Sequence, residues 1–152
     1  MPLVTEQSRA YLQQKRQQNA DFQYQQSDLL AIAGMQQAEE EKLLAGNPQR
    51  LVCDTDLLVM IIWSEVKYGK CDAWILDNFN HSLETQNRHY ILCDWQIPWE
   101  GDELRENQND RRELFRRYQK KLKEYGIMYT AVGGSTMQRF RQIFAAVYKN
   151  EL

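Results

Sequence analysis

The chain has 152 residues, of which 43% are hydrophobic and 26% charged, and its formal net charge is −2. This length and composition are typical of one globular domain, and the nearly balanced charge argues against the basic surface of a nucleic-acid-binding protein. The longest apolar run, residues 57–63, is much shorter than the roughly 20 residues that cross a bilayer, and no signal-peptide pattern opens the chain. We therefore expect a single cytoplasmic domain over residues 1–152 that binds neither nucleic acid nor membranes.

Short apolar runs predict the strands. A brief run at residues 2–5 is a possible first strand, and longer runs follow at residues 50–56, 88–94 and 126–134. The three longer runs are nearly continuous in apolar residues instead of alternating, which is typical of strands covered on both faces of a parallel sheet.

Helical patterns separate these runs. Within the glutamine-rich residues 13–37, apolar side chains recur often enough to predict a helix, a loop and a second helix. We predict that Ser27 or Asp28 caps the second helix and that residues 46–48, Gly-Asn-Pro, end it.

Two later helices carry the spacing of a capping box at their starts. Asp110 is followed three residues later by Glu113, and Ser135 by Gln138. The last helix places four apolar residues on one stripe, which we interpret as a core face: Phe140, Ile143, Phe144 and Val147.

Alternating strands and helices predict an α/β fold, a parallel sheet flanked by helices with right-handed crossovers. Ligands of such sheets bind beyond the carboxyl ends of the strands. Asp54 and Asp56 follow a predicted strand, where a carboxylate can hold a hydrated Mg²⁺ or accept a hydrogen bond from a substrate hydroxyl. The alternative is that Asp56 or Thr55 only caps the next helix, and both interpretations stay open.

The connection after the third run is dense in charge. Pro98 disfavours helix at the preceding residue, Trp99 offers an aromatic surface, and Arg105, Arg111 and Arg112 carry planar cations that suit phosphate oxygens. A segment with these residues can close over a nucleotide. The alternative is a solvated helix start whose arginines pair with acidic residues of the same segment.

Between the last strand and the last helix lies the loop V-G-G-S-T. Gly133 and Gly134 allow the backbone to approach a flat ligand, and Ser135 begins a helix with exposed N–H groups. The loop is not a P-loop, because no lysine follows the second glycine.

Taken together, several stretches resemble the kinase domain of NadR-type proteins, a ribosylnicotinamide kinase domain of the P-loop AAA-domain family. The similarity covers essentially the whole chain. It rests on the stretches VTEQSRAYL, LVCDTDLLVMIIWSEVKYGK, YILCDWQIPWEGDELRENQNDRRELFRRY and YTAVGG, with a W-x-x-D-x-L-R lid and a D-R-x-x-L-F sequence as their most specific parts. The resemblance implies a P-loop kinase-like parallel sheet flanked by helices.

The resemblance also implies roles at the nucleotide end of a site. Trp99, Asp102, Arg105 and Arg112 would belong to a lid that closes over the substrates. Trp99 would bind the substrate there, and Arg112 the nucleotide. Arg105 would contact the phosphates and stabilise the transferred group catalytically. Gly133 and Gly134 would lie near the adenine of ATP.

At the acceptor end, the resemblance implies that Glu6 and Arg9, an E-x-x-R pattern, face the nucleoside. Asp54 would lie near Mg²⁺, and Asp56 or Glu6 would position the hydroxyl that receives the phosphoryl group. The implied reaction transfers the γ-phosphoryl group of ATP to ribosylnicotinamide in NAD biosynthesis.

In one respect the chain departs from the family. Family members carry a first strand and a G-x-x-x-x-G-K-[ST] P-loop upstream of the E-x-x-R element, and the present sequence begins at about that element. We expect that the chain is a piece of a longer kinase. The alternatives are a non-catalytic nucleotide-binding or regulatory module, a chain that takes the missing strand from another copy, and a purely structural domain. Whether it catalyses phosphoryl transfer is left open.

An incomplete sheet would expose a strand edge, through which we expect self-association.

Overall fold

A computed structural model describes residues 1–98 and 110–148. The chain packs as two compact units, Met1–Thr85 and Gln86–Leu152. Both units combine helices with short parallel strands, so the predicted α/β class is confirmed. The expectation of a single domain stays a prediction. Within the described residues, none of the helices has the length and apolar composition that a membrane span requires.

The first unit contains two short strands and four helices. In chain order its elements are β1 (Leu3–Val4), α1 (Gln7–Gln18), α2 (Gln26–Leu44), β2 (Val52–Cys53), α3 (Leu57–Tyr68) and α4 (Ala73–Thr85). β1 and β2 pair in parallel, with Leu3 opposite Val52 and Val4 opposite Cys53.

The long helix α2 organises the core of this unit, because it contacts α1, α3, α4 and β1. Leu29 and Ile32 of α2 are buried, as are Ile61 of α3 and Phe79 of α4. Apolar side chains surround most of α3, and a helix of that kind has to be buried between neighbours. The sequence of α3 therefore fixes it as the inner helix.

Tyr24 joins the start of α2 to α3. Its hydroxyl accepts a hydrogen bond from Nε1 of Trp63 at 2.7 Å, and its carbonyl oxygen accepts one from the Tyr68 hydroxyl at 3.2 Å. Nζ of Lys67 lies 3.3 Å from the centre of the Tyr24 ring, a cation–π contact. The loop before α2 is thereby held against the inner helix.

The second unit contains β3 (Tyr90–Cys93), α5 (Arg111–Glu124), β4 (Tyr129–Val132) and α6 (Thr136–Val147). β3 and β4 pair in parallel, from Tyr90 opposite Tyr129 to Cys93 opposite Val132. Helix α5 contacts β3, and α6 contacts β4.

Each sheet has two strands, so every strand has one edge that pairs with no other strand of the described chain. An edge of this kind can accept a further strand. Self-association through it stays a prediction.

The predicted helix caps are partly confirmed. Ser135 and Gln138 form the expected capping box: the Ser135 N–H donates to Oε1 of Gln138 at 2.8 Å, and the Gln138 N–H donates to Oγ of Ser135 at 3.3 Å. The box predicted for Asp110 is wrong, because its backbone angles, φ −104° and ψ 13°, are not the extended ones of a cap, and its side chain makes no cap hydrogen bond.

The start of α2 also differs from the prediction. The cap residue is Gln25, and neither Ser27 nor Asp28 precedes the helix. Asp28 lies in the first turn, where its Oδ2 accepts a hydrogen bond from the Gln25 N–H at 2.8 Å. The predicted end is confirmed, since α2 ends at Leu44 and Asn47 adopts a φ of 50°.

The interpretation of the α6 stripe as a core face is wrong. No residue of α6 is buried, and Phe140 and Phe144 are 64% and 46% exposed. The rings instead stack along the helix, with centroids 6.4 Å apart between Phe140 and Phe144 and 4.8 Å apart between Phe144 and Tyr148. Helical periodicity identifies an apolar face but does not determine what covers it.

This difference in burial predicts a difference in stability. We expect Phe79→Ala to lower the free energy of unfolding by about 3–5 kcal/mol, because Phe79 is 0% exposed and its removal leaves a cavity. Phe144→Ala, the same change on α6, should cost only about 0.5–1.5 kcal/mol, the value of a stacked aromatic pair. Urea denaturation followed by circular dichroism measures both, and equal losses would contradict the exposure of α6.

A second prediction concerns Tyr11 of α1, whose hydroxyl donates to Oδ1 of Asp28 at 2.6 Å. Desolvation, the hydrogen bond and the Asp28 charge together raise the pKa of Tyr11 from 10.0 to about 12. In the folded chain the neutral hydroxyl of Tyr11 is favoured over the phenolate. The stabilising contribution of this hydroxyl is therefore fully present below pH 10 and is lost between pH 10 and pH 12. In an alkaline titration of phenolate absorbance, Tyr11→Phe should remove a transition near pH 12, and loss of a transition near pH 10 would contradict this assignment.

Candidate functional site

The parallel pairing of β1 and β2 brings their carboxyl ends to one edge of the first unit. Beyond the register of Val4 with Cys53, the Asp54 N–H donates to the Val4 carbonyl oxygen at 2.9 Å. Glu6 follows β1, and Asp54 and Asp56 follow β2, so the three carboxylates belong to the same edge. We call Glu6, Asp54 and Asp56 the acidic edge.

Asp54 is the most accessible acid of this edge. It is exposed, and its carboxylate makes no hydrogen bond or ion pair with any residue in the described part of the chain. Both of its oxygens therefore remain as acceptors for a ligand hydroxyl or a hydrated cation.

Asp56 has a local structural role. It is 6% exposed and precedes α3 in extended conformation, and its Oδ1 accepts a hydrogen bond from the Leu58 N–H at 3.0 Å. The interpretation of Asp56 as a helix cap is confirmed, and Thr55 is not the cap. A role of Asp56 toward a substrate stays a prediction.

Glu6 and Arg9 lie at the start of α1. Glu6 occupies the cap position but makes no cap hydrogen bond with its side chain, and its Oε1 accepts a hydrogen bond from the Ser8 hydroxyl. Arg9 is half-buried in the first helical turn, where the helix dipole disfavours a positive charge. The role of Arg9 in ligand binding stays a prediction.

Sequence reasoning missed Gln36 of α2, which is 2% exposed and lies beneath the acidic edge. Its Nε2 donates to the Thr55 carbonyl oxygen at 2.8 Å, and its Oε1 accepts from the Gln7 N–H at 3.1 Å. A signal was present, because Gln36 continues the apolar stripe of Leu29, Ile32 and Ala33 at helical spacing. Because many other glutamines lie nearby in the sequence, the position of Gln36 on this stripe did not stand out.

In the second unit, Asp94 and Gly133 follow paired strands and lie side by side. The Asp94 N–H donates to the Val132 carbonyl oxygen at 2.8 Å, and a Cβ added at Gly133 would lie 3.2 Å from Cβ of Asp94. Oδ1 of Asp94 accepts from the Gln96 N–H at 2.9 Å, which holds the turn after β3.

Local geometry explains the two glycines. Gly134 has a φ of +82°, and a Cβ there would lie 2.4 Å from Oε1 of Gln138. Gly133 packs against Asp94, and its N–H donates to Oε1 of Gln142 at 3.0 Å. Proximity of either glycine to an adenine stays a prediction.

The start of α5 contacts the turn after β3. The Arg111 guanidinium donates to the Ile97 carbonyl oxygen, and the Arg112 guanidinium lies 5.6 Å from the centre of the Trp95 ring. Trp95, which sequence reasoning also missed, therefore provides an aromatic surface beside a predicted nucleotide-binding arginine. Trp99, Asp102 and Arg105 lie outside the described residues.

A magnesium ion is compatible with Asp54. Across residues 1–98 and 110–148, no three or more histidine, cysteine, aspartate or glutamate side chains converge on one point to hold a metal. Mg²⁺ does not need such a cage, because it keeps several waters and is bound through one or two carboxylates plus substrate phosphates. Asp54 supplies one exposed carboxylate without a partner in the described residues, and Mg²⁺ binding by it stays a prediction.

Helices that alternate with short parallel strands define the class of this protein, an α/β fold, and in each unit candidate ligand-binding residues follow the carboxyl ends of the strands. A family model described as AAA domain matches residues 1–139. The chain therefore belongs to the AAA domain family, and its likeness to P-loop-type nucleotide-binding domains is confirmed at that level. Searches of curated proteins and of solved structures found no match.

The different surroundings of the two aspartates predict different effects on stability. We expect Asp56→Ala to lower the free energy of unfolding by about 0.5–2 kcal/mol, because the first turn of α3 loses its cap. Asp56→Asn should cost less, since asparagine caps equally well. Asp54→Ala, an exposed control two residues away, should change stability by less than about 0.5 kcal/mol. Thermal denaturation ranks the three variants, and an Asp54→Ala loss as large as that of Asp56→Ala would contradict the assignment.

Proposed function

We propose that the chain is a nucleoside kinase-like domain of the ribosylnicotinamide kinase type. Its acceptor substrate would be ribosylnicotinamide, its phosphoryl donor ATP, and its product would enter NAD biosynthesis. One observation carries the proposal: the pairing of β1 with β2 brings Glu6, the first residue of the E-x-x-R element, to the same edge as Asp54 and Asp56. Membership of the AAA domain family supports the nucleotide-binding part.

Carboxylates at this edge suit a nucleoside. Ribose hydroxyls are hydrogen-bond donors, and Asp54 and Glu6, which follow the paired strands, carry acceptor oxygens. Arg9 supplies a permanent positive charge and a planar fork of donors on the adjacent turn of α1. We assign nucleoside binding to these three residues and to Trp99.

The proposed reaction is an in-line phosphoryl transfer. The 5′-hydroxyl oxygen of the nucleoside forms a bond to the γ-phosphorus as the bond to the β,γ-bridging oxygen breaks, and ADP leaves. The hydroxyl proton passes to the carboxylate of Asp56 or Glu6, which also orients the hydroxyl.

We assign nucleotide binding to Arg105, Arg112, Gly133 and Gly134, as the resemblance implies. Arg112, already placed beside Trp95, and Arg105 would contact phosphate oxygens through their guanidinium groups. Gly133 and Gly134 would lie near the adenine. Asp54 would hold Mg²⁺, which when bound neutralises charge on the phosphates.

The rival function is a nucleotide-binding module that does not catalyse transfer. One observation favours it: no G-x-x-x-x-G-K-[ST] motif occurs in the 152 residues, so these residues include neither the P-loop lysine nor its backbone cradle. Nucleoside and nucleotide binding would then persist without turnover.

Calorimetry on the purified chain separates these possibilities. We expect ribosylnicotinamide to bind, and Asp54→Asn to weaken that binding by about tenfold, because a hydrogen bond to a charged acceptor contributes about 1.5–3 kcal/mol. Asp77→Asn, which removes an exposed carboxylate from α4, is the matched control and should bind like the unmodified chain.

Adding Mg-ATP and analysing the products completes the test. Formation of ADP and phosphorylated nucleoside supports the kinase. Binding of both ligands without product supports the non-catalytic module. If neither ligand binds at millimolar concentration, both nucleotide-dependent functions are excluded for this chain.

A further inference from the structure

The start of α1 lacks the cap that helices usually carry. The first N–H groups of a helix have no partner within the helix and are commonly satisfied by the side chain at the cap position. Glu6 occupies that position, but its side chain makes no cap hydrogen bond. Gln36 of α2, 29 residues away along the chain, accepts a hydrogen bond from the N–H of Gln7, the first residue of the helix.

Glu6 lies close to the helix start, where its Oε1 accepts a hydrogen bond from the hydroxyl of Ser8 in the first turn of α1. The N–H that Gln36 accepts belongs to Gln7, the residue directly after Glu6. The hydrogen bond to Gln36 therefore fixes the backbone that carries Glu6.

The other end of the Gln36 amide holds the loop after β2. Its Nε2 donates to the carbonyl oxygen of Thr55, the residue between Asp54 and Asp56. With this carbonyl fixed, the peptide unit that separates the two aspartates has a defined orientation. One buried side chain therefore bonds to both segments that carry the acidic edge.

We infer that Gln36 is a positioning residue for the nucleoside site, fixing the spacing between the start of α1 and the Asp54–Asp56 loop. The inference rests on the proposed function. Gln36 does not contact the ligand; it acts through the Gln7 N–H and the Thr55 carbonyl oxygen.

The chemistry of the amide explains why glutamine suits this position. Its oxygen accepts and its nitrogen donates, which matches one N–H group on one side and one carbonyl group on the other. Ionised glutamate has the same shape but presents only acceptors, so it would face the Thr55 carbonyl oxygen without a donor. Methionine has a similar length and offers no donor and only a weak acceptor.

The test compares Gln36→Glu and Gln36→Met with a control of equal burial on the same helix, Ile32→Val. Calorimetry with ribosylnicotinamide is performed below the melting temperature of every variant, with folding checked by circular dichroism. We expect both Gln36 variants to weaken nucleoside binding by about tenfold or more, the equivalent of 1.4 kcal/mol. Ile32→Val should lower stability but change the dissociation constant by less than about twofold.

A double-mutant cycle with Asp54→Asn distinguishes positioning from a general loss of stability. If Gln36 positions Asp54, the loss caused by Asp54→Asn should shrink from about tenfold to less than about threefold once Gln36 is methionine. A purely structural Gln36 would leave the two effects additive, which would overturn the inference.

The two proposals fail in different ways. Absence of nucleoside binding by the unmodified chain overturns the proposed function. Binding by the unmodified chain that Gln36→Glu and Gln36→Met leave unchanged overturns the positioning role alone. If Gln36→Met does not fold, the same comparison and cycle with the isosteric Gln36→Glu decide the question.

Discussion

The parallel pairing of β1 with β2 is the constraint on which the first unit depends. Each strand has only two residues, so few backbone hydrogen bonds define the register. That register nevertheless decides which side chains share an edge, since a shift of one residue would turn every following side chain to the other face. The Asp54 N–H, bonded to the Val4 carbonyl oxygen, continues the pairing into the acidic edge and links strand geometry to the site.

Helix α2 supports the pairing of the short strands β1 and β2. It buries Leu29, Ile32 and Ala33 against the rest of the unit and then presents Gln36 and Glu40 on the same stripe. Gln36 bonds to backbone groups on both sides of the edge, and Oε2 of Glu40 lies 3.7 Å from Sγ of Cys53 in β2. Buried polar groups require partners, and here the partners are the segments that carry the candidate ligand-binding residues. The buried stripe of α2 therefore packs through apolar side chains in its first half and makes polar contacts to neighbouring segments in its second half.

The second unit depends on local conformation more than on buried polar contacts. Gly134 needs its positive φ, and Gly133 needs the small space beside Asp94. The turn after β3 is held to the first residues of α5 by the Arg111 hydrogen bond and by Trp95 next to Arg112. Residues that sequence reasoning associated with a nucleotide thus also serve the local structure. Asp56 in the first unit likewise has an observed structural role, the cap of α3, and its role toward a substrate stays a prediction.

The sequence by itself determined features that depend on neighbours within a turn or a strand. Continuous apolar runs predicted where the strands form, and the Ser135–Gln138 spacing predicted a capping box that forms, because both features depend on nearby residues. Tertiary structure alone decided the exposure of the α6 stripe, the separate surroundings of Asp54 and Asp56, and the burial of Gln36. These depend on which distant segment lies opposite each side chain. Gln36 meets partners 19 and 29 residues away, and no local pattern specifies such a meeting.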